Sequence, residues 1–105
     1  MTRIIIEAVK KANVRAIVSK GWSGRLKTDG HELVKQVDFP DCIYSIDRVP
    51  HDWLFPQMAG VVHHGGAGTT SAGMKAGVPT VIKPFFGDQF FWADRVQEVF
   101  IYLIV

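Results

Sequence analysis

The sequence predicts an α/β fold with a parallel sheet, and three observations support this prediction. Short apolar segments alternate along the chain with segments of helical period. A glycine-rich turn, His63–Thr70, leads directly from the apolar run 58–62 into a helix. Gly77 and Pro79 end that helix just before another apolar segment. Such alternation is typical of parallel strands that are joined by helices packed on the faces of the sheet.

The first half of the chain contains one predicted helix and two predicted strands. Apolar residues recur at helical spacing from Ile5 to Ala12, with charged residues opposite, and Asn13 is predicted to end the helix. Strands are predicted at 15–19 and 42–46. The polar segment 23–31 is predicted to be a loop, and residues 32–38 show no clear period.

In the second half, a short helical piece is predicted at 53–58, broken near Pro56. Strands are predicted at 60–63 and 80–82, on either side of a helix at 69–76. A last helix is predicted to begin after Asp88 as its N-cap, with one face formed by Phe90, Ala93, Val96 and Phe100. The aromatic cluster of Phe85, Phe86, Phe90 and Phe91 is predicted to serve mainly for packing, and the alternative is that it faces an apolar ligand or a partner domain.

Composition excludes several classes of protein. Of the 105 residues, 48% are hydrophobic, which is too many for a disordered tail, and the net charge of +2 is scattered, so no nucleic-acid partner is expected. The single cysteine, Cys42, excludes an internal disulfide framework. Apolar runs fall short of the roughly 20 residues that span a membrane, and Glu7 interrupts any signal peptide. We expect a cytoplasmic protein.

The glycine-rich turn predicts an anion site. Its glycines lack Cβ, so the backbone can turn sharply and approach a ligand closely. The next backbone N–H groups, at Thr69, Thr70 and Ser71, are predicted to be the unpaired donors of a helix N-terminus, where a phosphate is stabilised. The alternative is a turn in which glycine serves packing alone, because short glycine motifs have low specificity.

Adjacent residues of a strand point to opposite faces, so His63 and His64 are poorly placed to hold one metal ion together. We expect one histidine to face the ligand and the other to pack in the sheet. Asp88 and Gln89 have two open interpretations, as helix-terminal residues or as ligands for vicinal sugar hydroxyls. Trp22 is either a core residue or a wall that stacks on a planar base.

In parallel α/β sheets, ligands bind at the carboxyl ends of the strands. The loops 20–25, 46–52, 63–69 and 83–89 all follow predicted strands, so we expect them to meet at one edge.

Six segments together resemble the donor-binding half of nucleotide-sugar-dependent glycosyltransferases, and the fungal and plant sterol 3-beta-glucosyltransferases in particular. The resemblance covers most of the chain, in matching order and spacing. It implies a Rossmann-like domain that is a partial C-terminal half of a two-domain B-type glycosyltransferase fold. The segments are Lys20–Gly24, Val49–Phe55, His63–Thr70, Ala76–Pro79, Lys83–Gln89 and Phe91–Ala93.

The resemblance implies a UDP-sugar site built from ten residues. They contact the diphosphate, the transferred sugar and the uracil of the donor. His64, Gly66, Gly68, Thr69 and Thr70 would serve the diphosphate, Asp88 and Gln89 the sugar hydroxyls, and Val49, Trp22 and Ser23 the uracil pocket.

The activity implied by the resemblance is transfer of glucose from UDP-glucose to the 3-hydroxyl of a sterol, with inversion and without a metal or other cofactor. The catalytic base and the pocket for a sterol or other lipid acceptor belong to a second domain, which nothing in this chain matches, so the chain alone is expected to be inactive. Peripheral membrane association is expected of the full-length protein. The alternatives are a non-catalytic nucleotide-binding module, or a related transferase with another lipid or natural-product acceptor.

Three departures from the resembled families are visible. Ala72 stands where a glutamate binds ribose in the plant small-molecule branch, and Ile46 stands roughly where a tryptophan stacks on uracil. Residues 100–105 replace an expected glycine-containing loop, which predicts an incomplete donor domain, 1–105, with an atypical tail.

Overall fold

The computed structural model describes residues 2–19 and 38–99. The chain divides into two compact units, Met1–Arg48 and Val49–Val105. The predicted residues Trp22 and Ser23, the loop 20–25 and the tail 100–105 lie outside the described residues.

The first unit contains one helix and a parallel pair of strands. Helix α1 spans Thr2–Ala12, strand β1 spans Ala16–Ser19 and strand β2 spans Ile43–Ile46. β1 and β2 run parallel, with Ala16 opposite Ile43 and Ser19 opposite Ile46. α1 ends as predicted, because Asn13 adopts a left-handed conformation, φ 52°, which asparagine tolerates better than most residues.

The second unit alternates helices and strands, and its two strands are also parallel. Val61 pairs with Thr80, and His63 pairs with Ile82. The predicted α/β class with parallel strands is therefore confirmed. The elements are α2 (His51–Leu54), a 3-10 turn (Phe55–Gln57), β3 (Val61–His63), α3 (Ala67–Ala76), β4 (Thr80–Ile82) and α4 (Gln89–Val99).

Two predicted helix starts were wrong. α2 begins at His51 rather than at residue 53, but the α-helix breaks near Pro56 as predicted, because it ends at Leu54 and a 3-10 turn that contains Pro56 follows. Proline fits there because the first residues of a helical turn need no N–H donor. α3 begins at Ala67, two residues before the predicted start, while Gly77 ends it in a left-handed conformation as expected.

The core of the second unit is small and apolar. Phe55, Val61 and Val78 are buried together, and Leu54, Met58, Ala72 and Ala76 pack against them. α3 lies close to β4 because Gly73 has no side chain. A Cβ at Gly73 would lie 3.0 Å from the hydroxyl of Thr80, so a larger residue would push the helix away from the sheet.

The inner face of α4 differs from the predicted one. Gln89 and Val96 are buried on it, and Ala93 is half-buried, whereas Phe90 is 54% exposed. The prediction placed a phenylalanine inward at the start of the helix. The structure instead directs the Gln89 amide inward, because that amide binds the preceding loop. Within the described ranges, no helix is long and apolar enough to cross a membrane.

We expect Phe55→Ala to lower the free energy of unfolding by about 3–5 kcal/mol, because it leaves a cavity beneath Val61 and Val78. The matched control is Phe90→Ala on the exposed side of α4, which should change stability by no more than about 0.5 kcal/mol. Urea unfolding followed by circular dichroism measures both. Equal losses in the two variants would contradict this assignment of the core.

Candidate functional site

The turn between β3 and α3 requires glycine at position 65. Gly65 has φ +92°, in the left-handed region that other residues rarely adopt. A Cβ there would lie 2.6 Å from Ile82 Cγ2 and 3.2 Å from the carbonyl oxygen of Gln89. Gly65 thus brings the turn directly against the end of β4 and the first residue of α4.

The N-terminus of α3 has free backbone N–H donors, and neither a capping side chain nor an acidic residue in its first turn stabilises them. Its N-cap is Gly66, which has no side chain to cap the helix, and no acidic residue lies in the first turn. The first helical hydrogen bond runs from Thr70 N to Gly66 O, at 2.9 Å. The unpaired N–H groups of the helix therefore end at Thr69, and the prediction that assigned Thr70 and Ser71 to this set was wrong. Because α3 starts earlier than predicted, its donors lie nearer the turn.

His63 presents a buried donor beside this turn. Its Nδ1 accepts a hydrogen bond from the Gly65 N–H at 3.0 Å, so the proton of the neutral ring is on Nε2. Nε2 is buried, and among the described residues it has no hydrogen-bond partner. A buried donor without a partner costs about 1–3 kcal/mol, so His63 Nε2 is a polar atom that the described residues leave unsatisfied in the interior.

The charge state of His63 follows from its surroundings. Burial, and then the nearby His64 and His51, lower its pKa from 6.5 to about 4. The His63 ring stacks with the Phe55 ring, with 6.5 Å between the ring centroids. The His51 ring also stacks with Phe55, at 4.7 Å. His63 is therefore neutral near pH 7, in a fixed orientation.

His64 and Gly68 lie on the open side of the turn. His64 is exposed, and its Nε2 would lie 2.7 Å from a Cβ built on Gly66, so the imidazole lies over the N-cap of α3. At Gly68, by contrast, a Cβ would meet nothing within 4 Å among the described atoms. This leaves open space above the first turn of α3, where a ligand can approach the backbone.

The two threonines of the motif differ in exposure. Thr69 is half-buried, whereas Thr70 is only 2% exposed, and its hydroxyl has no hydrogen-bond partner among the described residues. Thr70 therefore adds a second buried polar group without a partner to the first two turns of α3.

Asp88 and Gln89 have structural partners of their own. The Gln89 Oε1 accepts from the N–H groups of Phe85 and Phe86, at 2.8 and 3.1 Å, and the side chain is 6% exposed. Both bonds involve the oxygen, and among the described residues the Nε2 of Gln89 donates no hydrogen bond. Asp88 is exposed, and its carboxylate accepts from the Trp92 indole at 2.9 Å. Asp88 directly precedes α4, as predicted, and its backbone carbonyl accepts the hydrogen bond from Trp92 N. Its carboxylate binds the Trp92 indole.

Within the second unit, the structure brings together the two loops that were predicted to share a ligand. The contact of Gly65 with Gln89 joins the glycine-rich turn to the start of α4. Val49 is half-buried in the same unit, and neither Trp22 nor Ser23 is among the described residues. In the part of the chain that is described, no group of three His, Cys, Asp or Glu residues is placed to hold a metal ion.

Sequence reasoning missed the role of His63, which it did not select over His64. The signal was present in the alternation of β3, where Val61 is buried, Val62 is exposed and His63 faces inward again. It also predicted that Phe85, Phe86, Phe90 and Phe91 serve mainly for packing. Packing within the described residues does not bury them, because all four are at least half exposed. The backbone N–H groups of Phe85 and Phe86 bind the Gln89 side chain, a bond that the apolar pattern does not reveal.

The chain was compared with family models and with known proteins, and both comparisons match it to glycosyltransferase-related sequences. Residues 25–104 match the family model described as "Erythromycin biosynthesis protein CIII-like, C-terminal domain". The chain is also similar to proteins named sterol 3-beta-glucosyltransferase, with 54% identity to that of Eremothecium gossypii and 56% to that of Saccharomyces cerevisiae. Each match covers 94% of this chain but only 8% of the relative, so the chain spans less than a tenth of their length.

Gly65→Ala should destabilise the second unit by about 1–3 kcal/mol, because alanine is strained at positive φ and its Cβ would collide with Ile82. Gly68→Ala is the matched control: its site is open, and alanine favours a helix, so stability should be unchanged or raised by up to about 1 kcal/mol. Thermal unfolding compares the two. Equal melting temperatures would contradict the close contact of the turn with α4.

The His63 pKa predicts a pH dependence of stability. Its folded pKa of about 4 lies below the ordinary 6.5, so the unfolded chain binds the extra proton first. The contribution of neutral His63 is therefore complete above about pH 6.5 and is lost as the pH falls toward 4. We expect the fall in melting temperature across this range to be smaller in His63→Gln than in the unaltered chain. Parallel curves for the two proteins would contradict the burial of His63.

Proposed function

The chain belongs to the family of erythromycin biosynthesis protein CIII-like C-terminal domains, and on this basis we propose that it is the donor-binding part of a UDP-glucose-dependent glycosyltransferase. The observation that carries the proposal is the uncapped N-terminus of α3, held by Gly65 against the start of α4. An anion subsite and a polar subsite thus adjoin each other, as a sugar nucleotide requires.

We assign the diphosphate to the N-terminus of α3. The backbone N–H groups of Gly66, Gly68 and Thr69 and the positive end of the helix dipole stabilise negative charge there. His64, which is exposed and lies over the N-cap of α3, supplies a side-chain donor at the rim. Thr70 lines the same turn from the buried side, where its unpartnered hydroxyl can bond a ligand or an ordered water.

We assign the transferred sugar to Asp88 and Gln89. The Gln89 amide is fixed through its oxygen, which leaves Nε2 to donate to a sugar hydroxyl. The Asp88 carboxylate is exposed and oriented by Trp92, so its remaining lone pairs can accept from a neighbouring hydroxyl. For the uracil pocket we propose the main chain of Val49 together with Trp22 and Ser23, on the family resemblance alone.

The proposed reaction is displacement at the anomeric carbon with inversion. A base deprotonates the acceptor hydroxyl, which attacks this carbon while the bond to UDP breaks. The N-terminus of α3 stabilises the charge that grows on the departing diphosphate. The base lies in the larger part of the relatives that this chain does not span, so the 105-residue chain should bind donor without transferring sugar. Sterol glucosylation by the purified chain would contradict this assignment.

For the acceptor we propose the 3-hydroxyl of a sterol, because relatives with more than half of the residues identical are named for that reaction. The family description favours a second candidate, a natural-product acceptor such as a macrolide. We prefer the sterol, because the relatives named for it share more than half of their residues with this chain, whereas the family model describes a broader group. For an acceptor held in a membrane, we propose that the transferase works at the membrane surface, on the cytoplasmic side.

Calorimetric titration of the chain with UDP, UDP-glucose and ADP tests the donor assignment. We expect UDP and UDP-glucose to bind more tightly than ADP. His64→Ala should weaken UDP binding by about tenfold, the loss typical of a hydrogen bond to a charged group. Binding of no nucleotide would instead support a non-catalytic module that keeps only the fold.

The variant Gly68→Ala tests whether the open space above α3 holds the ligand, because it should change UDP binding without lowering stability. The added methyl group should leave the melting temperature unchanged or higher, but it enters the open space above α3 and should weaken UDP binding at least about tenfold. Uridine, which lacks the diphosphate, serves as the control ligand. If Gly68→Ala bound UDP as well as the unaltered chain, the diphosphate would have to lie elsewhere.

A further inference from the structure

We propose that the exposed rings of Phe85 and Phe86 form part of the acceptor site and bind the apolar body of a lipid alcohol. This inference rests on the proposed function. It adds an acceptor contact to the half of the enzyme that was assigned only to the donor.

The two rings are fixed relative to the proposed sugar subsite. Phe85 and Phe86 are 50% and 74% exposed, yet their backbone N–H groups both bind the Gln89 side chain. Gly87 then turns the chain with φ +64° toward Asp88. The loop is therefore ordered by polar bonds at its backbone while its apolar side chains face solvent.

An apolar surface beside a sugar subsite points to the acceptor. The attacking hydroxyl must reach the anomeric carbon, so the body of the acceptor lies next to the sugar. The part of the donor assigned to this end of the site is the sugar, whose hydroxyls bind Asp88 and Gln89 rather than two exposed phenylalanines. A lipid alcohol, with one hydroxyl on a large apolar body, matches both features.

The size of the surface favours a small molecule over a protein. At roughly 200 Å² for each phenylalanine, the two rings expose about 250 Å². A stable protein interface needs about 800 Å² from each partner. The rim is polar, because the Lys83 ammonium lies 6.0 Å from the Phe85 centroid and Asp88 follows on the other side.

Phe91 is a weaker candidate for the same role. The Arg95 guanidinium lies 5.6 Å from its centroid, and the Trp92 ring packs edge-on at 5.0 Å. The Phe91 ring thus contacts both a cation and a second aromatic ring. Phe86, by contrast, is the most exposed of the four phenylalanines.

Binding of a fluorescent sterol, dehydroergosterol delivered from cyclodextrin, to the 105-residue chain tests the inference. Phe86→Ser should weaken sterol binding about tenfold, as expected for losing the burial of one aromatic ring, and Phe86→Leu should restore most of it. Phe90→Ser is the matched control, since Phe90 is similarly exposed but lies on α4. UDP affinity, measured separately, should be the same in all four proteins.

The outcomes separate this inference from the proposed function. No sterol binding by the unaltered chain, or equal losses in Phe86→Ser and Phe90→Ser, would overturn the acceptor surface even if UDP binds. Sterol binding that depends on Phe86, in a chain that binds no UDP-glucose, would leave the acceptor surface standing and refute the donor assignment.

Discussion

The contact between Gly65 and the start of α4 is the constraint on which the rest of the site depends. It is possible only because position 65 has no side chain and can adopt a positive φ. Through this contact the N-terminus of α3 and the loop before α4 become neighbours, although more than twenty residues of chain separate Gly65 from Gln89. Without it, the free donors of α3 and the amide of Gln89 would belong to separate surfaces.

The site also contains polar groups that the described residues do not satisfy. The α3 N-terminus has neither a side-chain cap nor an acidic residue in its first turn, and the His63 Nε2 and the Thr70 hydroxyl are buried without partners among the described residues. Each such group costs folding free energy, so a fold that collects several of them in one turn is less stable than it need be. An anion bound at the α3 N-terminus would satisfy the open backbone donors there, and its binding would recover that part of the free energy.

Local patterns were enough to predict the alternation of strands and helices, the ends of α1 and α3, and the glycine-rich turn as a helix N-terminus. They were not enough where a polar side chain turns inward to bind the loop before its own helix. Gln89 was expected in the first turn of a surface helix, but it is buried, and its side chain binds the N–H groups of Phe85 and Phe86. The rings of these two phenylalanines, which hydrophobicity alone would bury, are exposed. The start of α3 was misplaced because Gly66 forms its N-cap without a polar side chain, so the usual signal was absent.

The two helix termini that meet at Gly65 are electrostatically unequal, and this inequality orders the ligand. Both α3 and α4 direct positive dipole ends to the region, but a carboxylate, Asp88, stands at the start of α4 and none stands in the first turn of α3. A diphosphate is repelled by Asp88 and attracted by α3, whereas a neutral sugar can donate its hydroxyls to that same carboxylate. The sugar nucleotide we propose can therefore bind in only one direction, phosphates toward α3 and sugar toward α4. This direction leaves the sugar next to Phe86, the ring at which we propose that the acceptor binds.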